Sequence, residues 1–492
     1  MAGIGVRLNK IFEKRSILAN LTGMAYSAVV TIAPMVLIIL TIFLLSYILG
    51  FDNLPYLTRE IFSCSVLYIF IFGLVFTAPL NAVMSRYMSD VVFDERYDAV
   101  MPAYYMGLLI NVIIAAVPAI PFFIHEYVAG RVDPVFILMT AFGYFCLVWT
   151  FYTMLYLSIV KDYSKVTLFY FIGMAVMFVV SIVLVMFIGV SVTYGMMFGL
   201  DMGLLLIASL EFAQLRGYFT ESNRKYTDVL PYFRVYWGLI VANTCYIVGM
   251  YAHNFVYWTT DLRMVVAKSF VCAQPYDMAT FIAMVTNLSA TVIFISNVEM
   301  NFHKYYKNYS ESVIGGRLID IENAQDHMFM QLSNQLMSLV RVQFIITVVL
   351  YLVFSVVLPL IGISGLIMEI YPALAAGYFV LFIMYGAIIF LYYYNDNLGA
   401  MVTSATFMVA TVVFSFVFSH MDYIWYGMGV LVGSFIGWTV AYFRLRWVEK
   451  HLETHIFCKG SILRKGRGRR PSDVVYKNEK RQAEEQPSAG EA

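Results

Sequence analysis

GMMFGLDMGLLLIASLEF, Gly195 to Phe212, carries glycines four residues apart, Gly195, Gly199 and Gly203, in an apolar run that also holds a carboxylate, Asp201, among them. Four-residue spacing places the three glycines on one helix face. Inside a membrane such a ladder lets two helix backbones approach closely. The pattern returns in GMGVLVGSFIGW, Gly427 to Trp438, at Gly429, Gly433 and Gly437. Two ladders, each near the end of one half of the chain, suggest a duplicated architecture of the kind common in transporters. Small residues recurring by chance in membrane helices are the alternative.

Composition supports the membrane reading. The chain has 492 residues, 61% hydrophobic and 13% charged, a balance outside that of soluble domains. The charges cluster into islands between apolar runs of about 20 to 30 residues, each long enough to cross a hydrocarbon core of ~30 Å as a helix. Twelve spans are predicted, near 21–49, 61–83, 101–124, 134–160, 166–190, 194–214, 235–257, 276–299, 342–361, 372–394, 399–420 and 423–443. The first run is too long for a signal-peptide core and is kept as a span. With the N-terminus inside, only Arg59, Arg131, Arg263 and Lys268 of the 32 Lys and Arg fall outside. The positive-inside rule therefore places both termini in the cytoplasm, and the expected location is the cytoplasmic (inner) membrane.

The expected fold class is an all-α polytopic membrane protein. Its expected parts are a cytoplasmic amphipathic segment at 1–20, six-helix halves at 21–220 and 221–455, and a disordered polybasic tail at 456–492. Ile4, Leu8, Ile11 and Phe12 form the apolar stripe of the first part, suited to the inner leaflet. Within the second half, the cytoplasmic segment 300–341 places Leu318, Ile321, Met328, Leu332, Leu336 and Leu339 at helical spacing. The ninth span is thus expected to continue into the cytoplasm as an amphipathic helix, packing on its own bundle or docking a partner. The tail, basic from Lys459 to Arg470, is suited to anionic lipid, and nothing points to nucleic acid.

Asp201 lies two residues beyond Gly199, about 200° around the helix, and so faces away from the ladder. A carboxylate in lipid is costly, which points it toward a cavity. There it would serve as a proton or cation site; the structural alternative is an aspartate hydrogen-bonded to a neighbouring helix. Glu211 and Glu299 read as interface residues. Pro34, Pro79, Pro118 and Pro121 bend spans one to three. Asn81, Asn243, Asn254 and Asn287 offer amides to a sugar, and Tyr, Trp and Phe, 17% of the chain, offer flat faces for it. The absence of Lys and Arg from the predicted spans argues against a phosphate-bearing cargo. Five cysteines, with no pair expected on a shared side outside the bilayer, suggest neither disulfide framework nor metal site. No motif for a cofactor or catalytic constellation is present, so the protein is not read as an enzyme.

Several stretches, in order along the chain, resemble the Pel exopolysaccharide exporters of the multidrug, oligosaccharidyl-lipid and polysaccharide exporter superfamily. They are Met1-Ala-Gly-Ile-Gly with its basic stretch, Ala33-Pro34, HNFVYW (His253 to Trp258), Tyr276-Asp277, and NVEMNFHKYYKNY (Asn297 to Tyr309). The resemblance implies twelve helices in two six-helix lobes around a central cavity. It also implies export of an N-acetylhexosamine-rich polymer received from a cytoplasmic glycosyltransferase, with membrane scaffold and cyclic-di-GMP receptor subunits as partners. His253, Asn254, Trp258, Tyr276, Asp277 and Glu299 fall on the shared motifs. Two other readings are a cation-coupled efflux carrier for small molecules and a scaffold that only assembles a synthase complex.

Overall fold

The computed structural model describes residues 17–160, 162–290, 302–360 and 362–452, with side chains from residue 33 onward except that of residue 303. The amphipathic stripe at 4–12, the polybasic tail and Glu299 lie outside the described residues.

The first half comprises α1 (Ile17–Ile48), α2 (Tyr56–Phe93), α3 (Val100–His125), α4 (Pro134–Ile159), α5 (Tyr163–Ile182) and α6 (Val192–Tyr218). A second set follows: α7 (Trp237–Tyr257), a hairpin of β1 (Met264–Val266) and β2 (Phe270–Cys272), α8 (Gln274–Asn287), α9 (His303–Gly315), α10 (Leu318–Leu360), α11 (Leu366–Tyr393), α12 (Asn397–Phe418) and α13 (Met428–Lys450). Among the described residues ten helices are long and apolar enough to cross a membrane. α1, measured there as the shorter apolar helix Ala33–Ile48, and α8, whose predicted span runs on past the described residues, stand at the places of the other two predicted spans.

Local chemistry sets the ends. Asp133 caps α4 by accepting from the Phe136 N–H at 3.4 Å, with Pro134 in the first turn. Gly50, at φ +64°, follows α1 in the left-handed region that favours glycine. α10 is longer than its predicted span because the amphipathic stripe and the apolar run form one helix of 43 residues. Met328, Leu332 and Leu339 of that stripe are buried, and Phe329 stacks on Tyr394 at 5.4 Å. From Met328 onward the stripe therefore packs on its own bundle, while Leu318 at its start is exposed.

The duplication is a property of the packing. In the first half α6 lies on α5 and α4, α4 on α2 and α3, and α1 on α5; in the second α13 lies on α12 and α11, α11 on α8 and α10, and α7 on α12. Both ladders make their predicted close approach. A Cβ on Gly199 or Gly203 would collide with Ser181 or with the Gly173 carbonyl of α5, and one on Gly429 or Gly433 with Ser415 or Thr411 of α12. An aspartate precedes the fifth helix of each half and is held from the sixth: Asp162 by the Tyr218 hydroxyl, and Asp396 by both Arg444 nitrogens, Nη2 at 3.0 Å. These are the two six-helix lobes of the expected fold.

Candidate functional site

The lobes meet along α2 and α7 and through the hairpin. Residues 269 to 272 of the hairpin each reach the first lobe. The Ser269 hydroxyl donates to the Glu126 carboxylate beyond α3. The Phe270 ring packs edge-on against Phe122 of α3 at 5.5 Å. Val271 exchanges two hydrogen bonds with one hydroxyl, its N–H donating to Tyr68 Oη at 2.9 Å and its carbonyl accepting from it at 2.6 Å. Cys272 Sγ lies 3.2 Å from Cys64 Sγ of α2. The hairpin is thus a strap from the second lobe laid across the first.

Beneath the strap is a cavity of about 340 Å³ among α2, α3 and α4. Tyr68, Phe72, Phe122, Phe123 and Tyr144 line it and Phe270 closes it from the other lobe, with no charged side chain in the wall. Pro118, a predicted bend of α3, is part of this wall. The volume is at the low end of the ~300–1,000 Å³ of small-molecule sites, and the ring-rich lining with few polar groups is their usual character.

The motif residues form the adjoining support. Asp277 accepts from Asn254 Nδ2 at 2.7 Å, from Trp258 Nε1 at 3.0 Å and from the Ala273 N–H at 2.9 Å. One buried carboxylate therefore ties α7 to the start of α8, with its oxygens satisfied. Trp258, so fixed, stacks on Tyr68 with centroids 5.3 Å apart and planes 9° apart. His253 contacts the hydroxyls of Tyr276 at 2.8 Å and Tyr378 at 3.2 Å, fully buried. Asp277, with Asn254, fixes the Trp258 ring that the first lobe meets, while His253 and Tyr276 join α7 and α8 to Tyr378 of α11; none of the five lines the cavity.

The other candidates are dispersed. Asn243 of α7 donates to the Ala78 carbonyl of α2 at 2.6 Å, on the lobe contact, and Asn81, one turn along α2, has an unpartnered Oδ1. Asn287 is an internal clamp, donating to the Ala375 carbonyl at 2.9 Å and accepting from Gln343 at 3.2 Å and Thr347 at 2.8 Å. Pro34 sits half-buried inside α1. Asp201 is 1% exposed and lies at a helix contact behind the cavity wall. Its Oδ1 has no hydrogen-bond partner and occupies the space a Cβ on Gly143 of α4 would need, beside Ile69, which does line the cavity. In the second lobe the matching contact, Gly377 of α11 against α13, is made by the Val430 side chain and the Leu431 backbone nitrogen. That second contact is made without a carboxylate.

The expectation that no two cysteines share a side is corrected by the Cys64–Cys272 contact. Cys64 lies near the start of α2, in the turn before Tyr68, and the hairpin folds back to meet it. Tyr68, Phe72, Phe122 and Tyr144 were not singled out from the sequence, which offers 40 Phe and 37 Tyr without distinguishing these.

The architecture, two six-helix lobes joined through α2, α7 and a strap, is that of a membrane transporter. It is similar to a MATE transporter crystallised in complex with MaL6, with a TM-score of 0.61 and 12% identity over 88% of this chain and 96% of that one. A MATE-family transporter of the MOP superfamily in an outward-facing conformation gives a TM-score of 0.60, and a MOP-superfamily transporter from Pyrococcus furiosus 0.58, each at 12% identity; coverage of this chain is 88% and 87%, and of the other chain 96% in both cases. No curated protein matches the chain. Residues 1–457 match the family model PelG, described as an exopolysaccharide exporter (EPS-E). The chain belongs to this family and is a multi-pass membrane exporter.

Proposed function

We propose that the protein exports a neutral, N-acetylhexosamine-rich exopolysaccharide of the Pel type across the cytoplasmic membrane, with both termini inside and the hairpin at the external exit. The observation that carries this reading is the cavity under the strap, walled by aromatic rings and free of charged side chains. Flat apolar ring faces suit the C–H faces of a pyranose, whereas a phosphate-bearing cargo calls for Arg or Lys. Export then requires the strap to lift from α2 and α3.

Asp201 is the residue we assign to ion coupling, because its counterpart contact in the second lobe does without it and its Oδ1 is left without a protein partner. The cytoplasmic glycosyltransferase and the scaffold and cyclic-di-GMP receptor subunits are placed at α9 and the start of α10, where Ile314, Leu318 and Ile319 are exposed.

The test is the amount of amino-sugar polymer outside cells with and without the gene. Loss on deletion, restored by the intact gene and not by Phe122→Ala present at equal abundance, is the expected result. Unchanged polymer together with new drug sensitivity would instead assign the cavity to small-molecule efflux, a reading favoured by its small volume and by a wall drawn, apart from Phe270, from the first lobe.

A further inference from the structure

We infer that Cys64 and Cys272 form a disulfide that staples the strap of the second lobe to α2 of the first. The two Sγ atoms are 3.2 Å apart and both residues are buried, at 2% and 3% exposure. A disulfide needs them at about 2.0 Å with Cβ atoms about 3.8 Å apart, so a shift of roughly 1 Å closes the bond.

The approach is built by its neighbours. One turn along α2 from Cys64, the Tyr68 hydroxyl grips both backbone polar groups of Val271, the residue before Cys272. That grip fixes the strap in register along the helix, while pairing of Met264 with Cys272 fixes the cysteine within the hairpin. Tyr68 is held in turn by its stack on Trp258. Each sulfur is thus carried on a restrained backbone, one from each lobe, although the two residues are 208 positions apart in sequence. A metal site does not account for the pair, since among the described residues no group of three or more His, Cys, Asp or Glu is arranged to hold an ion. Cys146 and Cys245 lie in α4 and α7, outside the hairpin and α2, and supply internal controls.

The chemistry is thiol–disulfide exchange. The oxidant is a disulfide-bearing oxidoreductase, or a small-molecule disulfide, on the hairpin side of the membrane. One cysteine thiolate attacks the oxidant's S–S bond to give a mixed disulfide and release one oxidant thiol. The second thiolate then displaces the other oxidant sulfur, forming the Cys64–Cys272 bond. Two thiols are oxidised to one disulfide, the oxidant's disulfide is reduced to two thiols, and the protons pass to the released thiolates. Such bonds persist on the oxidising side of a membrane and not in a reducing cytoplasm. Oxidation proceeds while the strap is lifted, when both sulfurs are reachable, and the bond then holds the strap down, so that the export proposed above runs in the reduced protein.

The experiment reads the bond itself and so is independent of what the protein transports. Cells are treated with N-ethylmaleimide before lysis, and the full-length protein is extracted without reductant, digested with trypsin and mapped by mass spectrometry. A parallel sample is reduced, freed of reductant, exposed to oxidised glutathione and mapped in the same way. The expected species is Glu60–Arg86 joined to Ser269–Lys304. It should vanish with dithiothreitol and in Cys272→Ser, and persist in the Cys146→Ser/Cys245→Ser variant. Finding it in either sample of the unsubstituted protein supports the inference. Finding both peptides only as separate maleimide adducts in the two samples overturns it, as does joining of Cys64 to Cys146 or Cys245. Because the unsubstituted protein carries the decision, failure of a Ser variant to fold leaves the test intact.

Discussion

Tyr68→Phe removes one oxygen and leaves the ring. The stack on Trp258 and the packing against Phe270 are retained, while Val271 loses both the acceptor for its N–H at 2.9 Å and the donor to its carbonyl at 2.6 Å. At about 0.5–1.5 kcal/mol net for each hydrogen bond, the closed strap loses about 1–3 kcal/mol. That is roughly a 5- to 150-fold rise in the equilibrium for lifting the hairpin, at ~1.4 kcal/mol per factor of ten. Amide hydrogen exchange reads this directly, because the hairpin amides exchange through local opening. In lipid nanodiscs under reducing conditions, which remove any disulfide at Cys64 and Cys272, the Val271 amide should exchange faster by that factor. Amides in the middle of α11 should keep their rates. An unchanged Val271 rate in a folded Tyr68→Phe protein would refute the view that this hydroxyl is the strap's main polar anchor.

Asp201→Leu puts an apolar side chain where the second lobe also packs without a carboxylate, Gly377 meeting the Val430 side chain and the Leu431 backbone; membrane abundance and thermal stability should be unchanged or raised while polymer export is lost, and full export would end the coupling assignment. Gly433→Ala should lower the aggregation temperature of the purified protein, because the new Cβ would lie 2.8 Å from the Thr411 Cα and N, a backbone overlap that costs about 1–3 kcal/mol to relieve. Arg444→Lys breaks the two-nitrogen grip on Asp396, which is 1% exposed, and should destabilise the start of α12 by a comparable ~1–3 kcal/mol, read as faster exchange at Gly399.

Much of the scaffold was legible. Apolar runs of membrane length, separated by charged islands, specify spans because a lipid-exposed backbone must satisfy its own hydrogen bonds. The glycine ladders were legible as close-approach faces because a helix repeats every 3.6 residues, and the same period placed Asp201 on the face away from its ladder. Neither pattern names the surface opposite. That Gly199 meets Ser181 and Asp201 meets Gly143 follows from how three helices pack. Among the motif residues, Asn254, Trp258 and Asp277 stood out in sequence, yet their shared carboxylate clamp depends on the chain returning after the hairpin.

By itself, then, the sequence determined the membrane class, the span count, the duplicated halves and the family, since these rest on periodicity and local order along the chain. The tertiary structure alone decided the strap, the ring-walled cavity beneath it and the meeting of Cys64 with Cys272. The strap's contacts join residues 143 to 208 positions apart, and a contact of that separation leaves no periodic trace in either segment. It exists because burying two lobes against each other brings particular side chains to one seam.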